Sequence, residues 1–172
     1  LSALLGGSST EALRLAIRQA AADPNVSAIV LDIDSPGGGV YGVAELAAEI
    51  ARAARSTRVV AVVNSLAASA AYWIASQATE IVVTPGGEVG SIGVYTVHKD
   101  VSAAADRAGV KHTIVKAGRH KAEGSPYAPL ADDARAALQK RVDEYYGMFV
   151  RAVAAGRRAT PAEVRKGFGE GR

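Results

Sequence analysis

The chain has 172 residues, a formal charge of +3, 49% hydrophobic and 5% aromatic side chains. That is long enough for one domain with a sizeable core and too apolar for a disordered chain. It contains no cysteine, which excludes disulfides and thiolate metal sites and leaves the redox compartment open.

Ser8-Ser9-Thr10-Glu11 reads as a capping box, Ser8 with Glu11, before a helix that places Leu13, Ala16, Ile17 and Ala20 on one face. Asp23-Pro24-Asn25 stops it. Ala28 to Ile33 is a buried-strand run that ends in Asp34-Ser35-Pro36-Gly37-Gly38-Gly39. A second helix follows with Val43, Leu46, Ala47, Ile50 and Ala54 inward. The β-branched run Val59 to Val63 is the next strand; it breaks at Asn64-Ser65, and a helix starts near Ser69 with Tyr72, Trp73 and Ile74 on it.

Glu80 to Thr84 predicts a short strand and Pro85-Gly86-Gly87 a turn. Ser91 to Val97 predicts a strand, Asp100 to Ala108 a helix closed by Gly109, and Lys111 to Lys116 another strand. Residues 117–130 are polar and turn-rich. A long helix is expected over about Ala131 to Ala155, with Leu138, Val142, Tyr145, Phe149 and Val153 in one stripe. Thr160-Pro161-Ala162-Glu163 opens a last helix. The 135–172 stretch carries nine basic against four acidic residues, a solvated face or a subunit contact, with nucleic-acid binding a minor reading at this charge.

No run of about eighteen or more apolar residues occurs, so no span of a membrane is expected within the chain, and no signal peptide is visible. The chain begins at Leu1 and ends in GFGEGR, which reads as a single domain, 1–172, trimmed from a longer protein. Strands alternating with helices imply right-handed βαβ units and a mostly parallel sheet, an α/β fold. Sites in such sheets gather at the carboxyl ends of strands, where the loops 34–39, 64–70 and 85–93 fall.

Two of those loops can carry chemistry. Ser69 sits at a strand-to-helix junction among alanines, where its hydroxyl can face a substrate carbonyl beside free helix N–H groups; close helix packing is the other reading. Three glycines at 37–39 let backbone amides approach a ligand, as an oxyanion hole, a phosphate cradle or a plain tight turn. No Lys-Ser or Lys-Thr follows them, and the thirty-residue step to Ser69 suits an oxyanion hole better. A serine nucleophile needs a base. His98 and His112 fall in or beside strands, His120 lies in the polar loop, and Lys121 follows it; a lysine serves as base once burial brings its pKa down from about 10.4. Asp32 and Asp34 read as structural rather than metal-binding.

Four blocks in order, DSPGGGV, AASAAYWIA, VGSIGVY and AGRHKAEGSPYAPL, resemble the signal peptide peptidase A/protease IV family of serine peptidases, especially its bacteriophage head-maturation members. The resemblance implies a Clp protease/crotonase-like fold and a Ser–Lys dyad with no metal or organic cofactor. Ser69 would be the nucleophile and Lys121 the general base. Backbone amides of Gly37 or Gly38 with Ala70 would form the oxyanion hole, and Ser91 would hold the lysine amine. It further implies a polypeptide substrate, capsid or scaffold proteins among them, and a homo-oligomeric ring in which the lysine can reach a neighbouring subunit's serine. The host cytoplasm or assembling phage head is the expected location, with membrane association if the parent chain has an upstream anchor. Ala70-Ala71 stand where many cellular members have two glycines, which favours the phage branch. Three other readings stand beside this one: a signal peptide peptidase, a crotonase-like acyl-CoA enzyme and a noncatalytic assembly scaffold.

Overall fold

The computed structural model describes residues 8–167 and 170–171; readings that rest on Leu1 and on the last residues of the chain lie outside these. Its elements are α1 (Thr10–Ala22), β1 (Ala28–Ser35), α2 (Val43–Ala53), β2 (Arg58–Ala68), α3 (Ala70–Ala75), β3 (Glu80–Val83), β4 (Glu88–Gly90), α4 (Ser102–Arg107), α5 (Asp132–Arg157) and α6 (Pro161–Gly167). They fall into two compact units. One holds the described residues up to Val94 together with those from Tyr145 onward; the other is Tyr95–Glu144.

The first unit is built on β2. Its apolar run pairs in parallel with β1, from Ala28↔Arg58 to Ile33↔Val63, and with β3, from Val60↔Glu80 to Val63↔Val83. After Ile33↔Val63 the next recorded β1–β2 pair is Ser35↔Ala67, so β2 carries extra residues there and bulges at Asn64–Leu66. Ser65 has φ 88 in that bulge, and Asn64 Nδ2 donates to Asp32 Oδ1 across it. Past the bulge β2 leaves β3 and pairs with β4, Leu66↔Glu88 to Ala68↔Gly90. The break expected at Asn64-Ser65 therefore bends the strand and does not end it.

Apolar spacing decides what covers the sheet. Leu46, Ile50 and Ala53 of α2 pack with Ile17 of α1, Ile29 of β1 and Val59 and Ala61 of β2. A second cluster joins Val43 and Ala47 to Tyr72 and Trp73 of α3, to Phe149, Val150 and Val153 of α5 and to Val164 of α6. The Trp73 and Phe149 rings stack at 4.8 Å and 7°. The strand pairings among the described residues are parallel; α2 links β1 to β2 and α3 links β2 to β3 as the sequence predicts, while β4 follows β3 through a turn.

Both capping boxes can be compared with the helix ends. At α6 the box is as expected: Glu163 N–H donates to Thr160 Oγ1 (3.2 Å), and Thr160 N–H to Glu163 Oε2 (2.7 Å). At α1 it is one residue off. Ser9, not Ser8, is the cap, its Oγ accepting from Ala12 N–H at 3.3 Å. Glu11 then lies on the helix and binds Arg14, because the chain is still extended at Ser9 and turns helical only at Thr10.

Two expected strands are corrected. Over Ser91 to Val97 the ladder is instead made upstream, by β4, and Ser91 at φ 53 ends the extended run. Lys111 to Lys116 has the β-branched run Thr113, Ile114 and Val115 but no ladder partner among the described residues, and all six side chains are exposed. An extended segment without a neighbour has no way to pair its backbone groups except with water. In the same unit the His112 ring stacks on Tyr127 at 3.7 Å. Asp100 Oδ1 accepts from the N–H and hydroxyl of Ser102 (2.9 and 2.7 Å), which fixes the start of α4. No helix among the described residues is long and apolar enough to cross a membrane.

A buried carboxylate ties α1 to α2. Glu49, 6% exposed, accepts from Arg18 Nη2 at 2.9 Å and from Arg52 Nε at 3.0 Å. The hydrogen bonds from Arg18, then Arg52, hold its pKa down at about 2, against an ordinary 4.5. A carboxyl group with a depressed folded-state pKa stabilises the fold above its unfolded pKa, and that contribution is lost as pH falls through the folded one. Stability is therefore expected to decline from about pH 4.5 down to about 2. Urea melts across this window check it: Glu49→Gln should flatten the slope, and an unchanged slope would show that other carboxylates set the acid limit.

Candidate active site

Ser69 stands between β2 and α3 with φ 53 and ψ −125, a backbone conformation that side chains other than glycine rarely adopt. Two bonds hold it there. Its N–H donates to the Gly90 carbonyl at 2.9 Å, and its own carbonyl accepts from Trp73 N–H at 3.0 Å, which starts α3. The side chain is half-buried and makes no capping bond to its helix, so the hydroxyl is not spent on structure. A strained turn between strand and helix is how a serine is held out from the end of a parallel sheet.

The glycine loop lies against this turn. A Cβ at Gly37 would come within 2.7 Å of Ser69 Cβ, 2.8 Å of the Ala68 carbonyl oxygen and 3.0 Å of Ala70 N. With φ at +102, only glycine fits this close approach comfortably. Ser35 Oγ accepts from Gly37 N–H at 3.2 Å and so pins the loop. Among the described residues no bond runs from the amides of Gly38 or Ala70. Ala70 is the first residue of α3, where an N–H has no partner within the helix. Gly38 is exposed, with open space where a Cβ would stand.

Ser91 follows Gly90, the residue whose carbonyl binds the Ser69 amide, and has φ 53. Gly37, Ser69 and Ala70 thus come together at the carboxyl ends of β1 and β2, with Gly38 and Ser91 adjoining Gly37 and Gly90 in the chain. Lys121 belongs to the other unit. It is exposed in a series of turns, with its N–H donating to the Gly118 carbonyl at 3.2 Å. Beside it, His120 Nδ1 pairs with Glu123, and Lys116 Nζ donates to the Arg119 carbonyl at 3.0 Å. His98 Nε2 lies 3.3 Å from the Ala128 carbonyl oxygen. His120, Glu123 and Asp133 are the described residues whose ligand atoms come close enough to share a metal ion, all within 4.8 Å of one another. Each is exposed, and two are already paired with each other.

Three supports of the site escape a reading of the sequence by motif. They are Ser35, which pins Gly37, Gly90, which holds the Ser69 backbone, and the Asn64–Asp32 bond across the bulge. Ser35-Pro36-Gly37 is a recognisable hydroxyl-turn signal. The other two depend on strand register and leave no local trace.

Gly37→Ala follows directly from this geometry. The added methyl has to push the loop off Ser69, and a donor or nucleophile displaced by about 1 Å costs about a hundredfold in rate. Fluorophosphonate incorporation is expected to slow by that order while circular dichroism stays native. A wild-type labelling rate would show that the loop does not face the reacting group.

A strained serine thus stands at the carboxyl end of the sheet, packed against the glycine loop at Gly37. The model of peptidase family S49 matches residues 51–169, and the chain belongs to that family, the signal peptide peptidase A/protease IV family. The matched stretch contains Ser69, Ser91 and Lys121; the glycine loop lies ahead of it. The chain is 42% identical to capsid assembly protease C of Escherichia phage lambda over 81% of its own length and 32% of that protein. It is 37% identical to head-tail preconnector protein GP5 of Enterobacteria phage P21, over 80% of its length and 28% of that protein. The chain therefore spans about a third of each of these two relatives. Among solved structures it is similar to a mutant of the 1510-N membrane-bound stomatin-specific protease in complex with a substrate peptide. That match has 19% identity and a TM-score of 0.47, over 92% of this chain and 65% of the other.

Proposed function

We propose that this chain is the peptidase domain of a serine endopeptidase that uses Ser69 as nucleophile and Lys121 as general base. The observation that carries the reading is Ser69 itself, strained, side chain uncommitted, and packed against Gly37. Uncharged Lys121 takes the Ser69 proton as Oγ attacks the peptide carbonyl. The developing oxyanion is held by the Ala70 amide and by the glycine loop. Of the two loop amides Gly38 is the better donor, since Gly37 N–H is engaged by Ser35 Oγ. The protonated lysine then gives its proton to the leaving amine, and water, activated by the amine, hydrolyses the acyl-enzyme. Ser91 holds the lysine amine, and the lysine is supplied within a homo-oligomeric ring, from the same subunit or the next. No cofactor enters the cycle.

The substrates are capsid and scaffold proteins during phage head assembly. Similarity to a capsid assembly protease and to a head-tail preconnector protein supports this choice over clearance of signal peptides. The test uses the full-length protein, incubated with phage capsid and scaffold proteins and with an unfolded control polypeptide. Cleavage of the head proteins, lost in Ser69→Ala, is expected. An assembled protein that cleaves neither would overturn the reading.

A further inference from the structure

Helix α3 has six residues, a rod of about 9 Å, too short to hold its own place. Ser69 and the Ala70 amide sit at one end. The other end is gripped by the last turns of α5. Arg157 Nε donates to the Ser76 carbonyl at 3.0 Å, and Arg157 Nη2 donates to the Ala78 carbonyl. Gln77 Nε2 donates to the Ala152 carbonyl at 3.0 Å and to Ser76 Oγ at 2.8 Å; Ser76 Oγ in turn donates to the Trp73 carbonyl at 2.7 Å. Ser76 is fully buried and Gln77 nearly so. At Gly156 the α5 backbone passes so close that a Cβ would lie 2.0 Å from the Ser76 oxygen.

We propose that Arg157 is a positioning residue for the nucleophile, setting where α3 sits along its axis through the carbonyls at its far end, with Gly156 permitting the approach. The inference rests on Ser69 being the nucleophile. A cation at the carboxyl end of a helix also complements its dipole, and two donors on one planar group fix direction as well as distance. A rod this short transmits a shift at Ser76 to Ser69 Oγ and the Ala70 amide together. Arg157 acts through the Ser76 and Ala78 carbonyls at the end of α3 away from Ser69, so its loss should slow the chemical step and leave binding of a small reagent alone.

The experiment measures inactivation of the full-length protein by an alkyl fluorophosphonate, separating the maximal rate constant from the half-saturating concentration. In Arg157→Ala the rate constant is expected to fall about tenfold or more, as for a nucleophile moved by a fraction of an ångström. The half-saturating concentration should change less than about twofold, as expected where transition-state contacts alone are lost. Arg157→Lys should recover part of the rate, because an ammonium serves one carbonyl well and two poorly. Glu49→Gln, which loosens α1 on α2 and whose recorded bonds run to Arg18 and Arg52 rather than to α3 or α5, is the control for destabilisation and should keep the wild-type rate constant. If Arg157→Ala does not fold, Gly156→Ala and Arg157→Lys carry the test in the same direction. Wild-type rate constants in the folded variants would overturn the positioning role and leave Ser69 as nucleophile. A wild-type protein that is never labelled at Ser69 would overturn both.

Discussion

Ser69→Ala is expected to abolish fluorophosphonate labelling and to cut peptide-bond turnover by about a million-fold, the cost of removing the serine from a comparable serine peptidase site. The fold should survive the change. The hydroxyl makes no capping bond, so its loss leaves no buried group unpaired. Alanine keeps the Cβ that already packs beside Gly37. Residual activity should be a small multiple of the uncatalysed rate, supplied by binding and by the amides of Gly38 and Ala70. Thermal melts and oligomer size, measured alongside, separate lost chemistry from lost structure. Labelling that persists in Ser69→Ala would assign the nucleophile elsewhere.

Lys121→Ala should lower turnover by about a hundred- to ten-thousandfold, the range for removing a general base. Lys121→Arg discriminates between roles. Arginine keeps the positive charge and most of the length, yet does not give up its proton in a protein. A lysine that only solvates an exposed turn would tolerate either change. A lysine that accepts the serine proton tolerates neither, so Lys121→Arg should be nearly as slow as Lys121→Ala. Full activity in both would remove Lys121 from the mechanism and leave Ser69 to be activated by another group.

The parts of the fold legible in the sequence are those fixed by burial period and local hydrogen bonds. Val59 to Val63 announces the central strand, the α2 stripe announces its buried face, and Thr160 with Glu163 announces α6. What the sequence hid depends on which segment pairs with which. Glu88–Gly90 is three residues long and becomes a strand only because the bulge at Asn64–Leu66 brings Leu66–Ala68 beside it. Lys111 to Lys116 has the composition of a strand, and composition does not provide a neighbour.

The site divides in the same way. Ser69 and the glycine loop could be read from strand–loop–helix punctuation, and the structure brings them within contact. The strain at Ser69 could not, since it arises where the Gly90 carbonyl captures its amide. Arg157 lies eighty-one positions from Ser76, in a helix whose sequence reads as solvated and basic, and nothing local marks it as part of the site. The one-residue error at the first capping box has a simpler cause. Two adjacent serines can each begin a helix, and only the backbone turn at Thr10 selects between them.

In the proposed cycle the acyl group passes through one hydroxyl. Acid-quenching the full-length protein during turnover of a slow activated ester, then mapping the adduct by peptide mass, tests it most directly. One added acyl group is expected on the peptide containing Ser69, forming in a burst, decaying with turnover, and failing to form in Lys121→Arg. Steady hydrolysis with no adduct, or an adduct on any other side chain, would contradict it.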